Sequence, residues 1–355
     1  MENLSLQASR MISERLSELS QIAVDKQYAH QNEFWKPYES TGYSKSIRDA
    51  GYHFSYLSEA LAANDNVLFI DYVSWAKVLF AGLKFPASIL PTTLHFMKLA
   101  IESKLPPDLA SIATSCINDA MEHLDSVPEV PVSFIHPGNP FYEMADQYLQ
   151  TILTGDRQVA SKLILDSVAQ GTSIMDIYLH VFQPVQQEIG RLWQTNQVSV
   201  AQEHFCTIVT QMIMSALYPQ IFAKTKVGQT AILTSVGGEL HEIGIRMVAD
   251  FLEISGWDTY YLGANTPTES IIRSIIQQNA KVIAISATIS FHVSLVTDLI
   301  AQIRANPLVS SVKIMVGGYP FNISQDLWKK VGADGYAKDA KEAVFIAQKL
   351  LQEAS

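Results

Sequence analysis

The feature that most constrains the fold is a change of period near residue 228. From there five short apolar runs alternate with amphipathic stretches: 229–235 (QTAILTS), 258–262 (DTYYL), 281–287 (KVIAISA), 312–316 (VKIMV) and 334–337 (DGYA). Runs this continuously apolar suit strands buried on both faces, as in a parallel sheet covered by helices. Helical periods fill the gaps at 241–254, 268–279, 291–304, 322–331 and 340–352. The C-terminal part (226–355) is therefore predicted to be a five-stranded, doubly wound Rossmann-like (flavodoxin-like) domain. Its ligands are expected outside the carboxyl ends of the strands.

Upstream the pattern is helical. Residues 1–125 give helical periods at 3–24, 45–63, 66–83, 87–103 and 107–124, punctuated by Pro86 and Pro106–Pro107. Residues 126–140 carry four prolines and one glycine and read as a linker. Residues 141–225 return to a helical period over 141–153, 156–169, 172–194 and 199–223. Their short connections predict a four-helix bundle.

Composition excludes several classes. A formal net charge of -10 without a basic cluster argues against direct nucleic-acid binding. The two cysteines, Cys116 and Cys206, cannot build a disulfide framework and read as buried small apolar residues. The polar, amphipathic N-terminus is unlike a signal peptide, and no apolar run reaches the length needed to span a bilayer, so a cytoplasmic protein is expected.

Three features fall at strand exits on one rim. Glu239-Leu240-His241-Glu242-Ile243-Gly244 follows the first strand, Ser286-Ala287-Thr288 ends the third, and Gly317–Gly318 ends the fourth. A loop histidine there can reach a metal outside the sheet. A carboxylate two residues back can fix its tautomer. Gly244 would let a bulky ring approach the helix backbone, and Gly317–Gly318 would do so for a ligand tail. The loop after the first strand lacks G-x-G-x-x-G and the P-loop pattern, which removes nucleotide binding.

These motifs resemble the cobalamin-binding Rossmann-like domain over residues 228–355. The resemblance implies His241 as lower axial ligand of cobalt, Glu239 (replacing the family's Asp) as its partner, and Ser286 as third member of the relay. It further implies that Leu240, Glu242, Ile243, Gly244, Thr288, Gly263, Gly317, Gly318 and Asp334-Gly335-Tyr336 line the cofactor.

In the bundle, Trp193 with Glu203-His204 ten residues on resembles light-sensing cobalamin proteins of the CarH type. The resemblance implies adenosylcobalamin with Trp193, Glu203 and His204 around its upper face. Gln194 stands where those proteins have a histidine, and residues 1–125 do not resemble their DNA-binding domain. The segments 48–61 and 68–86 resemble photocobilins, which add a biliverdin-type bilin. Arg48, Tyr52, His53, Tyr56 and Trp75 are the residues that could hold it, with Cys116 the less favoured covalent anchor.

The resulting expectation is a light sensor without enzymatic activity. It would signal through Co–C photolysis to a separate protein or through self-association into a homo-oligomer. The alternative is a corrinoid methyl carrier of a methyltransferase system. A cobalt-based oxygen or redox sensor is the third reading.

Overall fold

Capping and small-residue packing explain the N-terminal helices. Asn3 accepts the Ser5 amide and starts helix Leu4–Glu14, while Asp65 accepts the Val67 amide and starts Asn66–Gly82. Between these come Leu16–His30 and Thr41–Ala62, and after them Ile89–Lys104 and Pro107–His123. The stretch 3–24, expected as one helix, breaks at Arg15, which leaves helical geometry at φ -108° and ψ 15°. Serines four apart let Leu4–Glu14 lie close on Thr41–Ala62. Ser5 Oγ donates to the Leu61 carbonyl (2.7 Å), and Ser58 Oγ meets Ser9 Oγ at 2.9 Å and Ser13 Oγ at 2.7 Å.

The computed structural model describes residues 3–38, 41–222 and 225–353, and these fall into two units. The helices above, up to Glu129, form the first together with Ile289–Ser294 and Ile323–Val331. The remainder from Val130 onward forms the second. Among the described residues no helix is long and apolar enough to cross a membrane.

The second unit opens with the proline-rich stretch, which is tied to the bundle. The Phe134 amide donates to Glu188 Oε2 at 2.9 Å, and Ile135 and Phe141 join the bundle core. The bundle helices are Tyr142–Leu153, Arg157–Ala169, Gln183–Gln194 and Val200–Ala216, the last started by a capping box between Ser199 and Gln202. The third was expected as one helix over 172–194. It instead begins as Ile174–Ile177 and passes through a π-helical turn, Tyr178–Phe182. Pro184 lacks the amide that would bond the His180 carbonyl; the Asn139 side chain donates to that carbonyl at 2.7 Å. The fourth was expected to run to 223. It ends at Ala216, followed by a short helix Tyr218–Ile221, and residue 223 lies outside the described residues.

The C-terminal part is a Rossmann-like, flavodoxin-like α/β domain with a five-stranded sheet. Its strands are β1 (Thr230–Ser235), β2 (Asp258–Gly263), β3 (Val282–Ser286), β4 (Lys313–Gly317) and β5 (Gly335–Tyr336), in the order β2-β1-β3-β4-β5 and all parallel. The strand order reverses between β1 and β3, which places the ligand crevice at their carboxyl ends. Helix Ile243–Ile254, which follows the histidine loop, is buried on two sides. Met247 and Phe251 enter the bundle core, while Ile245, Ala249 and Leu252 face the sheet. The loop before it is therefore held from both layers.

Candidate functional site

The β1 exit makes a tight loop. Glu239 donates its amide to the Val236 carbonyl (3.1 Å), Gly238 takes a positive φ of 82°, and the next residues carry the motif. The loop is also sewn to the exit of β2. Asn265, itself at φ 51°, accepts the Gly238 amide through Oδ1 (2.8 Å) and donates its own amide to the Glu239 carbonyl (2.9 Å). Sequence reasoning missed Asn265. The usable signal was an asparagine at a strand exit, the residue type that tolerates the left-handed region.

Glu239 is fully buried and binds three N–H groups. Its Oε1 accepts the His241 amide (3.0 Å) and faces His241 Nδ1 at 2.6 Å; Oε2 accepts the Thr288 amide at 2.8 Å. The extra methylene relative to Asp is what carries the carboxylate from its own loop to the exit of β3. Ser286, the expected third member of the relay, ends β3 beside Gly317. The Thr288 backbone, two residues on, links the exit of that strand to the carboxylate.

The His241 side chain is 56% exposed. With Nδ1 engaged by a carboxylate, that nitrogen carries the proton and Nε2 keeps its lone pair for an outside partner. The hydrogen bond to Glu239 raises the ring's pKa above its ordinary value. It outweighs the partial loss of hydration, and Glu203 of the bundle adds to the effect through its charge. Glu203 therefore stands near enough to act on the ring electrostatically. Leu240, 73% exposed, and Gly244 flank the histidine, and a Cβ on Gly244 would meet no atom within 4 Å. One imidazole nitrogen with a fixed tautomer, beside a bare glycine, fits a metal whose other ligands arrive with it in a flat macrocycle. A corrin is such a group.

Glu242 serves the architecture of the loop. Its Oε1 accepts from Gln211 on the bundle (2.7 Å), and its Oε2 accepts from the Tyr261 hydroxyl (3.0 Å) and the Ala264 amide (3.3 Å). A Cβ on Gly263 would lie 3.3 Å from that same Oε2, so Gly263, at φ 79°, makes room for the carboxylate. Ile243 begins the following helix and packs against the bundle core.

The other expected residues have structural partners of their own. A Cβ on Gly318 would sit 2.0 Å from the Ala287 carbonyl oxygen, and one on Gly317 would sit 2.9 Å from that of Ala337. Neighbouring backbone fills the space a side chain would need at both positions. Asp334 lies at the amino end of the sheet. Its amide bonds the Ile314 carbonyl, and its Oδ2 takes Arg304 (2.6 Å) and the Ile314 amide (2.7 Å), which removes it from the rim. Gly335 accommodates Ile346 of the last helix, whereas Tyr336 donates to Asn322 Oδ1 at 2.8 Å.

On the bundle, Trp193 and Gln194 end helix Gln183–Gln194, half-buried and buried respectively. Glu203 accepts from Thr207 (3.2 Å). His204 is 69% exposed and pairs with Glu203 at 3.5 Å.

The residues expected around a bilin mostly pack on one another. His53 is buried 2.7 Å from the Tyr72 hydroxyl, and burial lowers its pKa to about 4. Tyr56 stacks on Tyr72 at 3.6 Å, and Trp75 stacks on the same ring at 6.2 Å. Arg48 pairs with Asp49 on the surface, and Tyr52 is exposed. Cys116 is buried and its thiol is pushed up to about 12, which leaves it unsuited to act as a covalent anchor.

A B12 binding domain model matches residues 229–345, and a second B12 binding domain model matches 144–218. Monomethylamine corrinoid protein 1 of Methanosarcina mazei is 28% identical over 218 residues, covering 59% of this chain and 98% of that protein. Dimethylamine corrinoid protein 3 of the same organism is 33% identical over 135 residues, 38% of this chain and 79% of that protein. The chain belongs to the corrinoid proteins. Among solved structures, the monomethylamine corrinoid protein of Methanosarcina barkeri superposes with a TM-score of 0.53 at 24% identity, over 59% of this chain and 99% of that one, and shows the same fold.

A cobalamin cofactor follows from this membership. The light-sensor expectation does not survive it, because the relatives that the chain matches include monomethylamine and dimethylamine corrinoid proteins. The adenosyl group and the bilin were inferred from the light-sensing families and lose that basis. The corrinoid protein is better described by the alternative reading.

Proposed function

We propose that this corrinoid protein is a methyl carrier. It would hold cobalamin on the rim of its sheet and present it in turn to two methyltransferases, without catalysing either transfer alone. The observation that carries this reading is the Glu239–His241 pair at the β1 exit, with a half-exposed imidazole whose Nδ1 is engaged, in a chain akin to methylamine corrinoid proteins.

When bound, the corrin supplies a cobalt centre able to take a methyl group from a donor and yield it to a nucleophile. His241 Nε2 would hold the cobalt. Glu239 keeps the proton on Nδ1 and holds the ring against rotation. Leu240 and Gly244 make the seat beside it, and Ser286, Thr288 and Tyr336 border the tail along the exits of β3 to β5. Trp193 and Glu203, from the bundle at 141–225, would help to enclose the cofactor from the bundle side. The N-terminal helices up to Glu129 form a helical unit of their own together with Ile289–Ser294 and Ile323–Val331.

The test is competitive loading of the purified full chain with methylcobalamin and adenosylcobalamin, read by absorption. A carrier binds methylcobalamin at least as tightly and shows the histidine-bound spectrum. A tenfold preference for adenosylcobalamin, roughly 1.4 kcal/mol, would sink the reading.

A further inference from the structure

The exit of β3 borders the Glu239–His241 pair, the exit of β4 packs on it where Gly318 meets Ala287, and both run on into segments that pack with the N-terminal helices. Thr288, whose amide is bound by Glu239, is followed at once by Ile289–Ser294. In that segment Phe291 meets the edge of the Tyr56 ring at 5.4 Å. Ser294 gives its amide (3.1 Å) and its hydroxyl (2.8 Å) to the two oxygens of Glu59. Beyond Gly317–Gly318 and the short helix Tyr319–Ile323 comes Ser324, which donates to Asp65 Oδ2 at 2.6 Å. Lys330 reaches the same oxygen and the Asn64 carbonyl, each at 3.0 Å. Glu59 and Asp65 flank one interhelical turn, which includes Asn64 at φ 49°. Two carboxylates, one on each side of that turn, thus hold both loops.

We infer that Glu59 is a positioning residue for the cobalamin site, acting through Ser294 and Thr288 on the Glu239–His241 pair, with Asp65 acting likewise on the exit of β4. The segment 288–294 is anchored at one end by Glu239 and at the other by Glu59. Freeing the second anchor restores conformational entropy to the segment and weakens the first. Glu239 then holds His241 less firmly. Nothing in the sequence pattern of the motif announces this role, and the inference rests on His241 being the lower ligand.

The test uses the full chain. Cobalamin release after loading with methylcobalamin is followed by absorption, and hydrogen exchange of the Thr288 amide is followed in protein without cofactor. Glu59→Ala is expected to speed both by roughly tenfold, the effect of losing hydrogen bonds to a charged group. Glu59→Gln keeps one acceptor and falls between. Unchanged release and unchanged exchange in a folded Glu59→Ala protein overturn the inference. Should that variant fail to fold, Ser294→Ala carries the test, with roughly threefold faster release and exchange expected from one lost hydrogen bond; no change again overturns it. His241→Ala separates the two ideas. If it speeds release while Glu59→Ala does not, the coupling alone fails; if neither does, the ligand assignment fails as well.

Discussion

Glu239 Oε1 stands 2.6 Å from Nδ1 of His241, and the glutamate side chain is wholly withdrawn from solvent. Its second oxygen is committed to the Thr288 amide, so all its visible partners are donors. Glu239→Gln replaces one acceptor by an NH2 group that must face a donor. If His241 holds the cobalt as proposed, cobalamin affinity is expected to fall by roughly 10- to 100-fold, the usual effect of losing the partner of a metal-ligating histidine. Absorption titration against the unaltered protein checks this, and equal affinities would refute it.

Gly318→Ala tests the tightest backbone approach in the domain. The new Cβ would meet the Ala287 carbonyl oxygen at 2.0 Å, at a φ of 102° that L-residues avoid. Both strands must shift, so stability should drop by about 3 kcal/mol or more. A denaturant midpoint within experimental error of the parent would show that the exits of β3 and β4 can spread freely.

The buried pair Tyr178–Asp250 predicts a pH effect. The tyrosine hydroxyl donates to Asp250 Oδ2 at 2.8 Å, and burial pushes the Asp250 carboxyl up to about 6 from an ordinary value of 3.8. The folded state therefore keeps a proton that the unfolded chain releases at lower pH. Stability is fully present below the unfolded pKa and is lost as pH rises through the folded one. The penalty at neutral pH is roughly 3 kcal/mol. Asp250→Asn retains an acceptor for Tyr178 and should be more stable than the parent at pH 7–8, with a flatter profile between pH 4 and 6. Thermal melts across that range decide the matter.

Asn139→Ala removes the donor that covers the His180 carbonyl opposite Pro184. The carbonyl then depends on water, and the cost should be about 1 kcal/mol in the stability of the bundle unit. A larger loss would mean that Asn139 also fixes the course of the linker.

The sheet was readable because its strands are unbroken apolar runs, and the Glu239–His241 pair because it lies two residues apart in one loop. What was not readable depends on residues distant in the chain. Asn265, Gln211 and Glu59 each act on the site region from another element, and no local spacing reports them. The glycines at 317–318 were legible as necessary but not as to why, since only the fold shows that Ala287 and Ala337 occupy the space. Trp193 and Glu203–His204 misled for a related reason. A few side chains on one bundle can suit more than one group on the metal, so they cannot by themselves say which group is carried.

The division of the chain into units does not follow its order, and this has a practical consequence. Ile289–Ser294 and Ile323–Val331 belong with the N-terminal helices. A fragment starting at residue 130 would therefore not be a free-standing cofactor module. It would lose the partners of Ser294 and Ser324 and lay bare the apolar side chains of Leu327 and Val331, both buried in the whole protein. Excision by sequence boundary, the common shortcut for modular proteins, is expected to yield a sticky and poorly soluble piece here.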